Sequence, residues 1–345
     1  MKKVLVILIL TLMIVGSLHA ETKFKMELWN RWTYQMSDGE VTKNEMALKR
    51  GYFRLEPKFS EDIKGRFNLD FFSDDDNKVA DGAGLKIKYA YLDFNNLLPI
   101  KDSKLTIGLM QTYFGTIYEW NYTTIEGDPS DIYKFVSSTD FGFGVSGKIP
   151  NEFGSYNLAI YNGEGYKNVG KNINTDMNFA ANFRITTFNS VILGGSYMYR
   201  TEKNSDADNR EEYNLIAGIG KFAFGDFTVL AEYLYKVKSL PNTDSEEDNV
   251  KSSVITIMPV YKINDKFELL ARYDIYDPDK DADNDVENTI IAGLNYHIMR
   301  DANNAPKLFV QTNYKITQYE ADNEEDVQEI LVQLRWIFSE VINKN

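Results

Sequence analysis

Arg50, Arg54, Lys64 and Arg66 recur at even spacings in two stretches rich in aromatic and aliphatic residues. On an extended chain, residues two apart share a face. The four cations therefore gather on one surface with Tyr52, Asn68 and Asp70. Guanidinium and ammonium groups on a wall attract anions and orient dipoles; alone they break no bonds. A second charged set, Glu119, Glu126, Asp128 and Asp131, lies in the long segment 113–137. Carboxylates held across a narrow aqueous gap from cations create a transverse field that sorts ions and orients dipolar solutes. The competing reading is that the arginines pair with Asp70 or Asp93 and only stiffen the wall.

Other chemistry has little material. The chain has no cysteine, and of its two histidines, His19 falls in the N-terminal leader. His297 remains, with no nucleophile motif around it, so an enzyme, a resident metal and a cofactor are not expected. Asp277, Asp279, Asp281, Asp283, Asp285 and Glu287 alternate like a calcium loop, but Ala282 stands where the central glycine is required and Asn288 at the last ligand position. Solvated acidic loops are the expectation there. A formal net charge of −13 argues against nucleic acid as a partner.

The elements that must hold these residues follow from the pattern. Lys2 and Lys3, an apolar run from Val4 to Val15 and small residues up to Ala20 read as a signal peptide over 1–20. No later stretch has 18 uninterrupted apolar residues, which excludes transmembrane helices. Period-two alternation instead runs through the chain, as in Phe227, Val229, Ala231, Tyr233 and Tyr235 with Thr228, Glu232 and Lys236 between them. Sixteen such strands are expected, at 22–36, 44–60, 63–73, 84–96, 103–112, 138–149, 153–163, 173–188, 190–202, 210–223, 225–238, 248–263, 265–277, 285–299, 304–319 and 325–338. Their connections alternate between short turns and longer polar loops. An aromatic-rich chain with 22 Tyr and 21 Phe whose mean hydropathy is still −0.38 suits a wall with a lipid face and a wet face. The fold class expected is an all-β, transmembrane, antiparallel up-and-down barrel of about sixteen strands, occupying 21–338 and followed by a short polar tail at 339–345. Its place is a bacterial outer membrane. Assigning apolar faces to lipid sends Lys148, Arg184, Lys236, Arg272, Lys315 and Arg335 to the lumen with Asp93, Glu232, Glu268, Asp274 and Glu329. Trp29 and Trp336 are expected in interfacial aromatic girdles. Trp120, in the long loop, is a candidate stacking surface.

The stretches KRGYFRL at 49–55, KYAYLDF at 88–94, LTIGLMQTYFG at 105–115, DFGFGV at 140–145 and YNLAIYNGEG at 156–165 resemble, in this order, the phosphate-selective porin O and P family. The resemblance covers about residues 45–165. It implies a sixteen-strand porin, usually a homotrimer, with its third long loop folded into the lumen. Gln111 stands where family members often carry lysine, and Tyr113 replaces a proline, so phosphate is not carried over as the solute. The function expected is passive diffusion of small hydrophilic solutes or ions, with outer-membrane lipid and lipopolysaccharide around the barrel. The alternative is a non-transport barrel, an adhesin or structural protein with a plugged lumen. The acidic loops favour cations at the mouth and the basic wall favours anions at the constriction, leaving solute and ion preference open.

Overall fold

The computed structural model describes residues 21–73, 83–167, 176–187, 190–203, 210–239, 249–321 and 323–342. The leader at 1–20, residues 343–345 and most of the loops at 74–83, 163–172, 203–210 and 239–248 lie outside them.

Alternation closes into a barrel. The strands are β1 Glu21–Ser37, β2 Glu40–Lys58, β3 Ile63–Ser73, β4 Ala83–Asn95, β5 Ser103–Gln111, β6 Thr139–Ile149, β7 Gly154–Tyr161 and β8 Asn178–Thr187. They continue as β9 Val191–Lys203, β10 Arg210–Phe224, β11 Phe227–Ser239, β12 Val250–Lys262, β13 Phe267–Asp277, β14 Glu287–Arg300, β15 Pro306–Tyr319 and β16 Val327–Ile342. Each pairs with its neighbours in sequence, and β1 pairs with β16, so a sixteen-strand sheet closes without an edge. Closure satisfies every strand's backbone groups inside the wall, the condition for crossing hydrocarbon.

The outer face defines the membrane. Aliphatic and aromatic side chains such as Ile107, Phe143, Ile216, Ile257 and Ile290 stand exposed on it. Near the long-loop rim, four outward aromatics donate to carboxamides on the next strand: Trp32 to Asn44 at 2.9 Å, Tyr197 to Asn214 at 2.7 Å, Tyr273 to Asn288 at 2.8 Å and Tyr314 to Gln328 at 2.9 Å. At the short-turn rim Phe24 packs edge-on to Phe53 and Phe338, and Phe267 stacks on Tyr296. Two belts with an apolar band between them are the outer-membrane pattern.

Three local expectations need correction. The first connection is a two-residue turn, Asp38 and Gly39, both at positive φ (48° and 75°), where a longer segment was expected. Asp-Gly is the favoured pair for such a hairpin, and it lets pairing continue to Glu40. The C-terminal segment is no free tail up to Ile342: Ser339, Glu340, Val341 and Ile342 pair with Lys25, Phe24, Lys23 and Thr22. Pairing outweighs polarity because β1 begins far enough down to offer partners. Trp29 leaves the girdle. It is 3% exposed and faces inward, because odd residues of β1 line the lumen. Trp336 does face outward.

Candidate functional site: the lumen loop and the charged wall

The connection from β5 to β6, residues 112–138, is anchored all around the inner wall. Gly115 N donates to Ser196 Oγ on β9 at 3.0 Å, and Arg184 on β8 donates to Gly115 O at 2.7 Å. Arg272 on β13 reaches Gly127 O at 2.6 Å. Gln311 on β15 and Arg335 on β16 donate to Tyr122 O at 2.9 and 3.1 Å, and Asn295 on β14 donates to Thr123 O at 3.0 Å. Asn313 accepts from Ile125 N at 2.8 Å, and Arg50 on β2 donates to the Tyr122 hydroxyl at 2.7 Å. A segment bonded to the inward faces of strands so far apart on a closed barrel crosses its interior. A one-turn helix α1, Pro129–Ile132, forms within it because Asp128 caps it through Ser130 N and proline takes the first position.

One side of this loop is a small core. Tyr113, Phe114, Ile117, Tyr133, Phe135 and Val136 pack on Met198, Tyr213, Leu215, Leu234 and Val254, which point inward from β9–β12. Strands apolar on both faces are visible there in the sequence, as in Leu215, Ile216 and Ala217. That signal, a wall covered on its inner side, could have located the loop's seat.

The loop's acids divide. Glu119 pairs with Arg184 at 3.2 Å. Lys315 donates to Glu126 at 2.9 Å; burial alone would raise this carboxyl, but the adjacent Lys315 ammonium overrides it and brings Glu126 down to about 2. Asp128 is buried and turned away from the gap. Burial raises it to about 6 against hydrogen bonds from Ser130 and Thr116. Thr116 Oγ1 lies 2.6 Å from Asp128 Oδ2 and 2.7 Å from Glu232 Oε2, while Thr116 N donates to Glu232 Oε1 at 2.9 Å. A hydroxyl has one hydrogen. With two carboxyls at hydrogen-bond distance, one of them must carry a proton. Asp131 lines a cavity of about 330 Å³ with Trp29, Arg31, Lys49, Arg50, Glu126 and Lys167.

The wall cations divide as well. Arg50 lies over Trp29 (4.6 Å), Tyr52 (5.0 Å) and Tyr122 (5.1 Å) and 3.9 Å from Asp70. Arg54 donates to Asn68 at 2.9 Å, and Arg66 stacks on Tyr89 at 3.9 Å. Lys64 is exposed near the short-turn rim, away from the loop. The structure thus brings Arg50 together with Glu126 and Asp131 around one cavity, and leaves Arg54, Lys64, Arg66, Glu119 and Asp128 out of its lining. Asp93 pairs with Lys104 at 3.2 Å, leaving Asp70 as the acid nearest Arg50. Trp120 donates to Glu126 O at 3.3 Å and lies under Arg272 at 5.3 Å, so the loop's own structure uses much of its ring.

Arg31 and Lys167 line the cavity without having been expected there, and Lys49 and Lys88 were missed because of strand register. Register shifts place an extra residue in β2 at Lys49 and in β4 at Lys88. Strict alternation sends Lys49 to the side opposite Arg50, but the bulge lets both line the cavity. Lys88 is 4% exposed, donates to Ser138 Oγ at the loop's base and lies 4.0 Å over Tyr166.

A closed sixteen-strand barrel with an apolar outer band, two aromatic belts and a loop bonded across its inner face has the fold of an outer-membrane β-barrel. Solved structures agree on the fold. The anion-selective porin from Comamonas acidovorans superposes with a TM-score of 0.69 at 11% identity, over 92% of this chain and 100% of that one. A loop-deletion form of OmpT, an outer-membrane protein of Vibrio cholerae, gives 0.64 at 12% identity, over 92% and 99%. Salmonella typhi OmpF in complex with daunomycin gives 0.62 at 12% identity, over 92% and 97%. No protein-family model matches the chain, and no curated protein matches it. The expectation that the chain is not an enzyme is corrected. Its neighbours include several structures of OmpT, an outer-membrane protein, at 11–13% identity, and likeness at that level carries the fold alone and excludes no activity.

Proposed function

We propose that the chain is a passive channel for small hydrophilic solutes and ions. In this reading loop 112–138 forms the constriction and the β1–β4 wall is the charge filter. The observation that carries it is the cavity between them, about 330 Å³, lined by four cations, Arg31, Lys49, Arg50 and Lys167, and two carboxylates, Glu126 and Asp131, with Glu45 and Asp70 engaging Lys49 and Arg50 from outside it. Glu126 is already held by Lys315. The surplus of cations favours anions at the narrowest point, in keeping with the neighbour described as anion-selective and with the likeness of residues 45–165 to the O and P family. The test is single-channel recording in a planar bilayer under a KCl gradient. Discrete steps with an anion-selective reversal potential are expected, and Arg50→Ala with Arg54→Ala should move that potential toward cation preference. An unchanged potential sinks the filter, and no steps across repeated insertions leaves a plugged, non-transport barrel.

Three copies acting together is the proposed assembly, with outer-membrane lipid and lipopolysaccharide around them. The support is Asn30. It is exposed on the outer face two residues inside Trp32, paired across to Leu334 and Leu48, and its side-chain amide makes no hydrogen bond among the described residues. A bare amide in hydrocarbon costs on the order of 1–3 kcal/mol, which a polar partner from a second copy would remove. Asn30→Leu should weaken the oligomer seen on unheated SDS gels. An oligomer of unchanged stability would place the interface elsewhere.

A further inference from the structure

The lower half of the lumen carries a cavity with an aliphatic floor, at the lower edge of the core under the loop. Several inward residues of the short-turn half are charged, and Lys25, Glu56, Arg66, Lys104, Glu268 and Arg335 all join ion pairs or stack on rings. On β9, β10 and β11 this changes. Ile192, Ile219 and Leu230 point inward and floor a cavity of about 310 Å³, a volume at the lower end of small-molecule sites. The loop's rings cover Met198, Leu215, Leu234 and Val254; Ile219 and Leu230 continue that core downward, and their lower side, with Ile192, is left facing the cavity. Aliphatic surface facing lumen water has an unfavourable free energy until something apolar lies on it.

The rim of this cavity selects charge. Lys148 from β6 and Lys221 from β10 line it, both exposed and without an ion-pair partner among the described residues. Arg184 also lines it, but Glu119 at 3.2 Å and Gly115 O already hold its guanidinium. Glu152 is the one carboxylate on the rim not held this way. Two free ammonium groups beside an aliphatic floor fit one kind of solute.

We propose that this cavity is a subsite for amphiphilic monoanions, a short alkyl chain lying on Ile192, Ile219 and Leu230 with its acid group between Lys148 and Lys221. The subsite rests on the channel reading: a solute leaving the constriction toward the short-turn rim would pause here.

The test compares hexanoate, acetate and hexylammonium added on the short-turn side of single channels. Four more methylenes, partly buried, should let hexanoate reduce the current at a concentration roughly tenfold or more below that of acetate. Hexylammonium should not share the advantage. Ile192→Ser with Leu230→Ser should bring hexanoate close to acetate, and Lys221→Gln should weaken hexanoate in a barrel that needs no core change. Equal potency of hexanoate and acetate, or of hexanoate and hexylammonium, overturns the subsite while leaving the channel. Absence of conductance steps overturns the channel instead. Saturation-transfer NMR on the folded protein then still reads hexanoate binding and its loss in Lys221→Gln.

Discussion

Two stretches of the inner wall behave in opposite ways. Along β8–β15 the inward residues are a seat: aliphatics under the loop's rings, and carboxamides and a buried guanidinium on its carbonyls. Along β2–β4 they are a surface: Arg54 and Arg66 bond to the wall itself and to Tyr89, leaving their charge toward the lumen. One polypeptide loop makes this difference. Its apolar and backbone groups need partners, and β8–β15 supplies them. The gap therefore opens on the other side, where charge faces water. The lesson is that a lumen is sorted by what the loop must bury, and the wall left over keeps its charge toward the water.

The sharpest way to break the contrast is to damage the seat. Arg272 and Asp274 are each 1% exposed and pair at 2.7 Å, with Arg272 also holding Gly127 O. Arg272→Ala strands a buried carboxylate and should cost about 3–5 kcal/mol. The measurement is the temperature at which the barrel loses its folded mobility on SDS gels, together with current noise from a loosened loop. An unaltered temperature and quiet current would mean that the loop is not seated on this pair.

Next in size is the proton between Asp128 and Glu232. Asp128 is raised to about 6 by burial, above the ordinary aspartate value of about 3.8, so its contribution is full below that ordinary value and is lost as pH rises through about 6. The effect on loop seating is on the order of 2 kcal/mol. Current noise should be lower at pH 5 than at pH 8, and Asp128→Asn combined with Glu232→Gln should flatten the dependence because neither amide titrates. A wild-type channel equally quiet at both values, or a variant that keeps the slope, refutes the shared proton.

The smallest expected effect sharpens the other wall. Lys49→Gln removes a cation that only the β2 bulge brings to the cavity, and Glu45 at 2.8 Å already engages it. Loss of this partly exposed pair should leave thermal stability within about 0.5 kcal/mol of wild type. The reversal potential should shift, by less than for Arg50→Ala. A shift as large as that of Arg50→Ala would make the bulge lysine an equal partner in the filter.

Most of the architecture was legible in the chain. Period-two alternation with punctuating turns determines strands, and a sixteen-strand count follows because each strand must be long enough to cross the bilayer. The parity of loop lengths gave the rims, apart from the tight turn at Asp38 and Gly39. The charged residues were also legible as types: Arg50, Glu126 and Asp131 were named and do share a cavity. Trp29 shows the limit. An aromatic near a strand's middle has the same composition whether it faces lipid or an arginine, and only parity against neighbouring strands sends it between Arg50 and Arg335.

What the sequence by itself determined is the local geometry: which residues alternate, where the chain turns, and that one face is apolar. Those depend on neighbours two to four residues away. The tertiary structure alone decided where loop 112–138 lies, which of its carboxylates are buried, and that Lys49 and Lys88 turn inward. These depend on partners such as Asn313, which meets Ile125 across 188 residues of chain, and on bulges fixed by the register of adjacent strands. A pattern read along the chain holds no information about such contacts until the barrel closes and brings the partners together.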